Sequence, residues 1–277
     1  MTLYIVPTPI GNLEDITLRA LRILREARLI AAEDTRTTRV LLRHYQIETP
    51  LTSYHEHNKL SKLDAIFSAL EEGDVALVSD AGTPGINDPG FELIAEALAR
   101  GIEVVPLPGA CAAVTALVAS GLPTESFTFL GFPPRKDKAR REWLQALSAD
   151  PHTLIIYESP NRLVETLEAA AGVLGDRPAC VARELTKLYE EFFRGTLTAA
   201  AAHYRQNPPR GEIVVLIGGA PDQPPAQWSE PDVHAALKAQ LDSGASTRDA
   251  AAAVASASGW DRRALYEIAL RLRKPRP

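Results

Sequence analysis

Between Ser79 and Gly90 the chain reads S-D-A-G-T-P-G-I-N-D-P-G, with two carboxylates, two hydroxyls, three glycines and two prolines in one short stretch. The run before it, Val75–Val78, has the length and branching of a buried strand. Phe91, Ile94, Ala95 and Leu98 follow at helical spacing. Ordinary strand-to-helix connections are only a few residues long, so a loop of this size is expected to shape a pocket. In an open α/β sheet, such a loop at the carboxyl end of a strand is where small ligands settle. Asp88-Pro89 reads as an N-cap acid followed by proline at the first helical position, so the helix is expected to begin there.

Other stretches offer further chemistry. Pro7-Thr-Pro-Ile-Gly-Asn12 follows the first apolar run, where a dinucleotide-binding fold would carry G-x-G-x-x-G; its single glycine counts against a nicotinamide enzyme. Pro108–Thr115 starts a helix of small residues, which let a ligand approach the backbone and its free amides. His55 and His57 are two apart and no H-E-x-x-H accompanies them, so no metal site is expected; within Ser53–Asn58 they are substrate-binding candidates. Arg36, Arg39 and Arg43 share one helical face, for which a solvated surface is the competing reading. Arg135, Lys136, Lys138, Arg140 and Arg141, with only Asp137 against them, form a basic loop beside Phe132 and two prolines. It is the best local nucleic-acid footprint in the chain.

The elements that must position these residues alternate. Short apolar runs at 3–6, 29–32, 75–78, 102–107, 127–130, 153–157, 179–182 and 212–217 read as strands, with helical patterns between several of them. The reading is an α/β fold with a first domain over 1–120, a second over 121–219 and a small helical C-terminal domain over 231–277. Gly121-Leu-Pro123 marks the first boundary and the proline-rich stretch 218–231 serves as linker. Ser159-Pro160 is read as a second N-cap-plus-proline start. In the tail, one helix stops at Gly244, Ser246 or Thr247 caps the next, and Leu265, Ile268, Leu270 and Leu272 lie on a third. The Gly244–Ser246 turn resembles a helix-turn-helix.

The whole chain of 277 residues carries a formal charge of −5, which excludes global electrostatic attraction to nucleic acid as its organising feature. The tail differs, with eight Lys/Arg against five Asp/Glu, while the remainder has 22 against 30. Two cysteines, Cys111 and Cys180, build neither a disulfide framework nor a metal site. The N-terminus shows no leader pattern and no run is long enough for a membrane span, so a cytoplasmic protein is expected.

Pro7–Thr17, Glu33-Asp-Thr-Arg36, the loop Ser79–Gly90 and Pro108-Gly-Ala110 together resemble the tetrapyrrole methylase superfamily. Ser53–Asn58, Glu158-Ser-Pro-Asn-Arg162 and Arg183-Glu-Leu-Thr-Lys187 are similar to its branch that methylates a cytidine 2′-hydroxyl in small-subunit ribosomal RNA. The resemblance spans nearly the whole chain, tail included. It implies two α/β domains with S-adenosylmethionine in the cleft between them, a homodimer, and ribosomal RNA or the small subunit as partner. By matching position it implies that Ile10, Asp80, Thr83, Cys111, Ala112, Tyr157, Ala182 and Glu212 contact the cofactor; Gly82 and Ile86 join them as residues of the same loop. Cys111 stands where the family usually shows serine. Because the sulfonium methyl is already activated, the protein must chiefly align the attacking oxygen and remove its proton. Glu158, Glu184 and Lys187, at strand ends, are the proton-handling candidates, with structural ion pairs as the competing reading. A tetrapyrrole-like substrate and a non-enzymatic ribosome-binding factor are the alternative functions.

Overall fold

The computed structural model describes residues 1–55, 59–221 and 228–273, with no side-chain description for 59–61. Residues 1–219 form one compact unit and 220–277 another. The first unit holds two five-stranded sheets.

The first sheet is wholly parallel. Its strands are β1 (Thr2–Ile5), β2 (Leu29–Ala32), β3 (Leu51–Ser53), β4 (Val75–Val78) and β5 (Glu103–Pro106), in spatial order β3-β2-β4-β1-β5. The central β4 is buried throughout, as a near-continuous apolar run between two helical layers must be. Helices α1 (Leu18–Glu26), α2 (Thr35–His44), α3 (Lys59–Glu72) and α4 (Phe91–Ala99) connect the strands. Leu21, Ile23 and Leu24 of α1 pack on one side of the sheet; Ile66, Phe67 and Leu70 of α3 pack with Leu93 of α4 in a second cluster.

Helix α5 (Ala112–Ser120) follows β5 but packs against the other sheet. Ala113, Ala116 and Leu117 join Ile155, Cys180, Ala182, Val214 and Leu216, with Ile10 from the first half, in one apolar cluster. Small side chains allow this helix to lie close to the sheet that it joins. Gly121 ends it with φ 81°, a left-handed conformation that glycine adopts without strain.

The second sheet is mixed: β6 (Phe127–Phe129), β7 (Thr153–Glu158), β8 (Pro178–Arg183), β9 (Glu191–Thr196) and β10 (Ile213–Ile217), ordered β6-β7-β10-β8-β9. Only β6 and β7 run parallel; the other pairs are antiparallel. Helices α6 (Asp137–Ala146), α7 (Leu163–Leu174) and α8 (Leu197–Gln206) cover its outer face around Leu144, Leu167 and Tyr204.

In the C-terminal unit, α9 (Glu230–Asp242), α10 (Thr247–Ser258) and α11 (Arg262–Arg273) share a core of Val233, Leu237, Ala250, Val254, Leu265 and Ala269. Ser229 and Asp232 form a capping box on α9, and the Ser246 hydroxyl caps α10. Leu270 and Leu272 stay exposed, so the inward face of α11 is narrower than the leucine spacing suggested.

Several local expectations are corrected. Helix α4 starts at Phe91 with Gly90 as N-cap and no side-chain cap, so Asp88-Pro89 is still loop. Helix α7 likewise begins only at Leu163, after the Ser159-Pro160 turn. Strands β3 and β9 did not stand out in the sequence. The basic stretch 135–141 is a loop only to Lys136, because α6 starts at Asp137.

Candidate active site

The site is built from chain reversals at the carboxyl ends of β1, β4 and β5. After β1, Thr8 pairs with Gly82 in an isolated antiparallel bridge, the Thr8 amide donating to the Gly82 carbonyl at 2.9 Å and the Gly82 amide returning at 3.0 Å. The Thr8 hydroxyl donates to the Ser79 carbonyl at 3.1 Å, and that of Thr83 to the Ala110 carbonyl at 3.0 Å. Three loops are thereby locked into one wall. Gly82 has φ 83°, which a side chain would strain.

Against this wall stand the ends of β7 and β10. Together they enclose a cavity of about 390 Å³, within the size range of small-molecule sites. Ile10, Gly82, Thr83, Ile86, Cys111, Ala112, Tyr157 and Glu212, all expected at the cofactor, line it. Two expected residues do not. Ala182 is fully buried in the apolar cluster beneath. Asp80 turns to the end of β2: its carboxylate accepts from the Asp34 amide at 3.0 Å, while its own amide donates to Glu33 at 3.3 Å.

The lining is apolar and small over much of its area, and its charged side chains are all acidic: Asp88, Glu158 and Glu212. Burial pushes the Asp88 carboxyl up to about 6; Glu33 and Asp80 add to the rise, and a hydrogen bond with Ser79 opposes it. Asp88 lines the cavity rather than capping a helix, and the cap-like spacing hid it from sequence reasoning. Burial likewise raises Glu33 and Asp80. Burial also pushes the Tyr157 phenol up to about 12, so it stays neutral; its ring meets Phe129 and Phe132 edge-on at 5.0 and 5.7 Å.

Of the proton-handling candidates, Glu158 lines the cavity but is saturated. It accepts from the Ser159 amide at 2.8 Å and the Thr166 hydroxyl at 2.6 Å, and lies 3.4 Å from the Arg162 guanidinium. Glu184 and Lys187 lie just outside the lining. The Lys187 ammonium bonds Glu184 at 2.8 Å and Glu212 at 3.2 Å. Hydrogen bonding from Lys187 holds Glu184 below the usual carboxylate range. Burial lowers Lys187, but its bonds to Glu184 and Glu212 prevail and its net shift is upward. At neutral pH Lys187 is a fixed cation. Glu184 and Thr186 both adopt left-handed φ, 51° and 65°, so backbone strain is concentrated in this turn.

The basic candidates divide. Arg36, Arg39 and Arg43 are exposed on α2, Arg36 paired with Asp34 at 2.6 Å. Hydrogen bonds from Arg36 bring Asp34 down to about 2. Arg135, Lys136, Lys138 and Arg141 are exposed, whereas Arg140 is only 2 % exposed. Arg140 binds Asp137 at 2.9 Å and turns inward, which removes it from the RNA candidates. His55 is half-buried and electrostatically coupled to Glu33; Glu56–Asn58 lie outside the described residues. No group of three metal-ligating side chains occurs among the described residues.

Residues 2–201 match the tetrapyrrole (corrin/porphyrin) methylases, and residues 229–273 the RsmI C-terminal HTH domain. The chain belongs to the tetrapyrrole methylase family. Among its relatives are two proteins named ribosomal RNA small subunit methyltransferase I. That of Halalkalibacterium halodurans is 49 % identical over 96 % of this chain and 94 % of its own length. That of Escherichia coli O157:H7 is 47 % identical over 97 % and 94 %. Solved tetrapyrrole methylases share the fold. A cobalt precorrin-4 methyltransferase superposes with TM-score 0.60 at 18 % identity over 78 % of this chain and 94 % of that one. The Thermus thermophilus uroporphyrin-III C-methyltransferase, complexed with S-adenosyl homocysteine, gives 0.56 at 20 % identity over 79 % and 97 %.

Proposed function

We propose that this methylase transfers a methyl group from S-adenosylmethionine to RNA of the small ribosomal subunit, at the 2′-hydroxyl of a cytidine ribose. The observation that carries the RNA reading is identity approaching half over nearly the full length, C-terminal helices included, with relatives named for that substrate. The porphyrin and corrin enzymes match less than four-fifths of the chain at about one-fifth identity, which favours RNA over a tetrapyrrole ring. Intact cavity walls speak against a non-enzymatic binding factor.

The cavity fits the proposed cofactor by its chemistry. Of the three carboxylates in its lining, Glu158 is held by Arg162 and Glu212 by Lys187. That leaves Asp88, unpaired with a cation among the described residues, to suit a ligand carrying a sulfonium and an ammonium. Ile10, Ile86 and Val214 supply apolar surface for the adenine, and Cys111 and Ala112 leave room at the start of α5. When bound, the cofactor supplies an electrophilic methyl group. The protein must then hold the ribose oxygen in line and take its proton. Asp88 suits proton removal, because it lines the cavity and a group near 6 is closer to the operating pH than an ordinary carboxylate. Glu158, Glu184 and Lys187 fit positioning roles, since each is already engaged by partners, and the Lys187 cation steadies Glu212 at the cavity edge.

Further parts of the reading are domain limits at 1–120, 121–219 and 231–277, a homodimer, and a cytoplasmic location. No described helix is long and apolar enough to cross a membrane. Labelled S-adenosylmethionine incubated with either small-subunit RNA lacking the modification or a porphyrin precursor tests the function. Label on RNA ribose supports it; label on the porphyrin, or none, overturns it.

A further inference from the structure

A second cavity of about 340 Å³ opens beside the strained turn, walled by Arg183, Tyr189, His203, Tyr204 and Arg210 with Pro208 and Pro209. It adjoins the first across a seam one residue wide. Glu184 lines the second cavity, and its carboxylate accepts from the amide of Glu212, which lines the first, at 3.0 Å. Arg210 faces one cavity and its neighbour Gly211 the other. Gly211 has φ 84°, and a Cβ there would have to displace the Glu184 carboxyl.

The groups in the second cavity are unevenly satisfied. Arg183 is neutralised by Glu191 at 2.7 Å, and Glu184 by Lys187. Arg210 carries no ion pair among the described residues and stays exposed. His203 stacks on Phe193 at 4.8 Å with its ring supported, and Tyr189 is 68 % exposed at the rim. At the back, Tyr204 is 2 % exposed and its hydroxyl is buried without any hydrogen-bond partner. A buried hydroxyl without a partner is a group that a ligand reaching the back of the cavity can complete. An unpaired arginine at the mouth, aromatic rings beside it and a lone phenol within match phosphate, base face and base edge in turn.

We propose that this cavity holds one nucleotide of the RNA substrate, adjacent along the strand to the nucleotide whose ribose is methylated. Arg210 takes its phosphate, Tyr189 and His203 flank its base, and the Tyr204 hydroxyl bonds the base edge. A strand crossing the Glu184–Gly211 seam would thereby fix which ribose stands at the first cavity. This rests on the RNA reading above and names the group that sets its register.

The test uses the full chain with small-subunit RNA lacking the modification. Arg210→Ala and Tyr204→Phe are each compared with the parent for KM, kcat and, by calorimetry, S-adenosylmethionine affinity. Expected is a KM for RNA raised about tenfold in each variant, with kcat and cofactor affinity within about twofold. Arg210→Ala should also lower the slope of log affinity against log salt by about 0.7, one single-strand phosphate contact. An unchanged KM in both variants overturns the proposal while the RNA reading stands. Cofactor affinity falling as KM rises also overturns it, since the seam would then be structural. If the parent protein itself leaves RNA unmethylated, the RNA reading falls and this inference with it.

Discussion

Asp88 carries a pH signature whose sign follows from its surroundings. Burial beside Glu33 and Asp80 lifts its carboxyl from 3.8 to about 6, so the folded protein binds this proton more tightly than the unfolded chain does. Between those values the native state holds the extra proton, and stability therefore rises as pH falls through about 6. Cofactor binding should run the other way, because a cationic ligand prefers the ionised carboxylate. We expect S-adenosylmethionine affinity to increase as pH rises from 5 to 7, and Asp88→Asn to lower the affinity and remove that step; calorimetry across this range checks both. Asp88→Asn should also depress turnover by roughly 10²-fold or more if it takes the ribose proton, the lower bound for a general base. Gly211 makes the second residue-scale case. Gly211→Ala must adopt a left-handed φ and displace the Glu184 carboxyl, so we expect a loss of about 1–2 kcal/mol in urea unfolding from the backbone alone.

At the scale of elements, the sequence was most legible where burial dictates pattern. The central strands of both sheets are short apolar runs, and the long loop after β4 could be recognised from its glycines and prolines. Cap-like spacing misled at Asp88-Pro89, because the chain keeps turning to Gly90, where an added Cβ would lie 3.2 Å from the Gly85 backbone. The carboxylate freed by that turn lines the cavity instead. Edge strands β3 and β9 were illegible because neither alternation nor a solid apolar run marks them: Leu51-Thr-Ser53 holds one apolar residue, and Glu191–Thr196 only Phe192 and Phe193. The cavity walls read well from strand ends, although Ala182 and Asp80, matched to the cofactor by position, are not among the lining residues. The basic stretch shows the same limit, since helix α6 turns Arg140 inward. Neutralising Arg135, Lys136, Lys138 and Arg141 together should weaken RNA binding and flatten its salt dependence by about 0.7 for each phosphate no longer neutralised. Arg140→Met should leave that slope unchanged, since Arg140 is buried with two of its nitrogens unpaired. Filter binding at several salt concentrations separates the two sets.

For the whole molecule, the charge asymmetry read from the sequence meets a division into compact units. Every residue lining either cavity falls within 1–219, and the three C-terminal helices bury an apolar core of their own. Asp88 suits the first cavity to a cationic cofactor, while the tail from Pro231 carries an excess of three positive charges. The cavity walls and the tail's positive excess thus lie in different parts of one chain. We expect a chain truncated after Gly219 to fold cooperatively and to bind S-adenosylmethionine within about twofold of the full protein. Its KM for small-subunit RNA should rise, because sequence-independent attraction scales with the phosphates neutralised. The loss should be greatest at low salt and shrink as salt rises, since screening shortens the reach of the tail's charges in the full protein too. Chemistry in the first cavity should persist once RNA is saturating, so kcat should change far less than KM. Should the truncated chain instead show an unchanged KM at low salt, the helical tail does not engage RNA, and the exposed cations of α2 and of the segment entering α6 must suffice to hold the substrate.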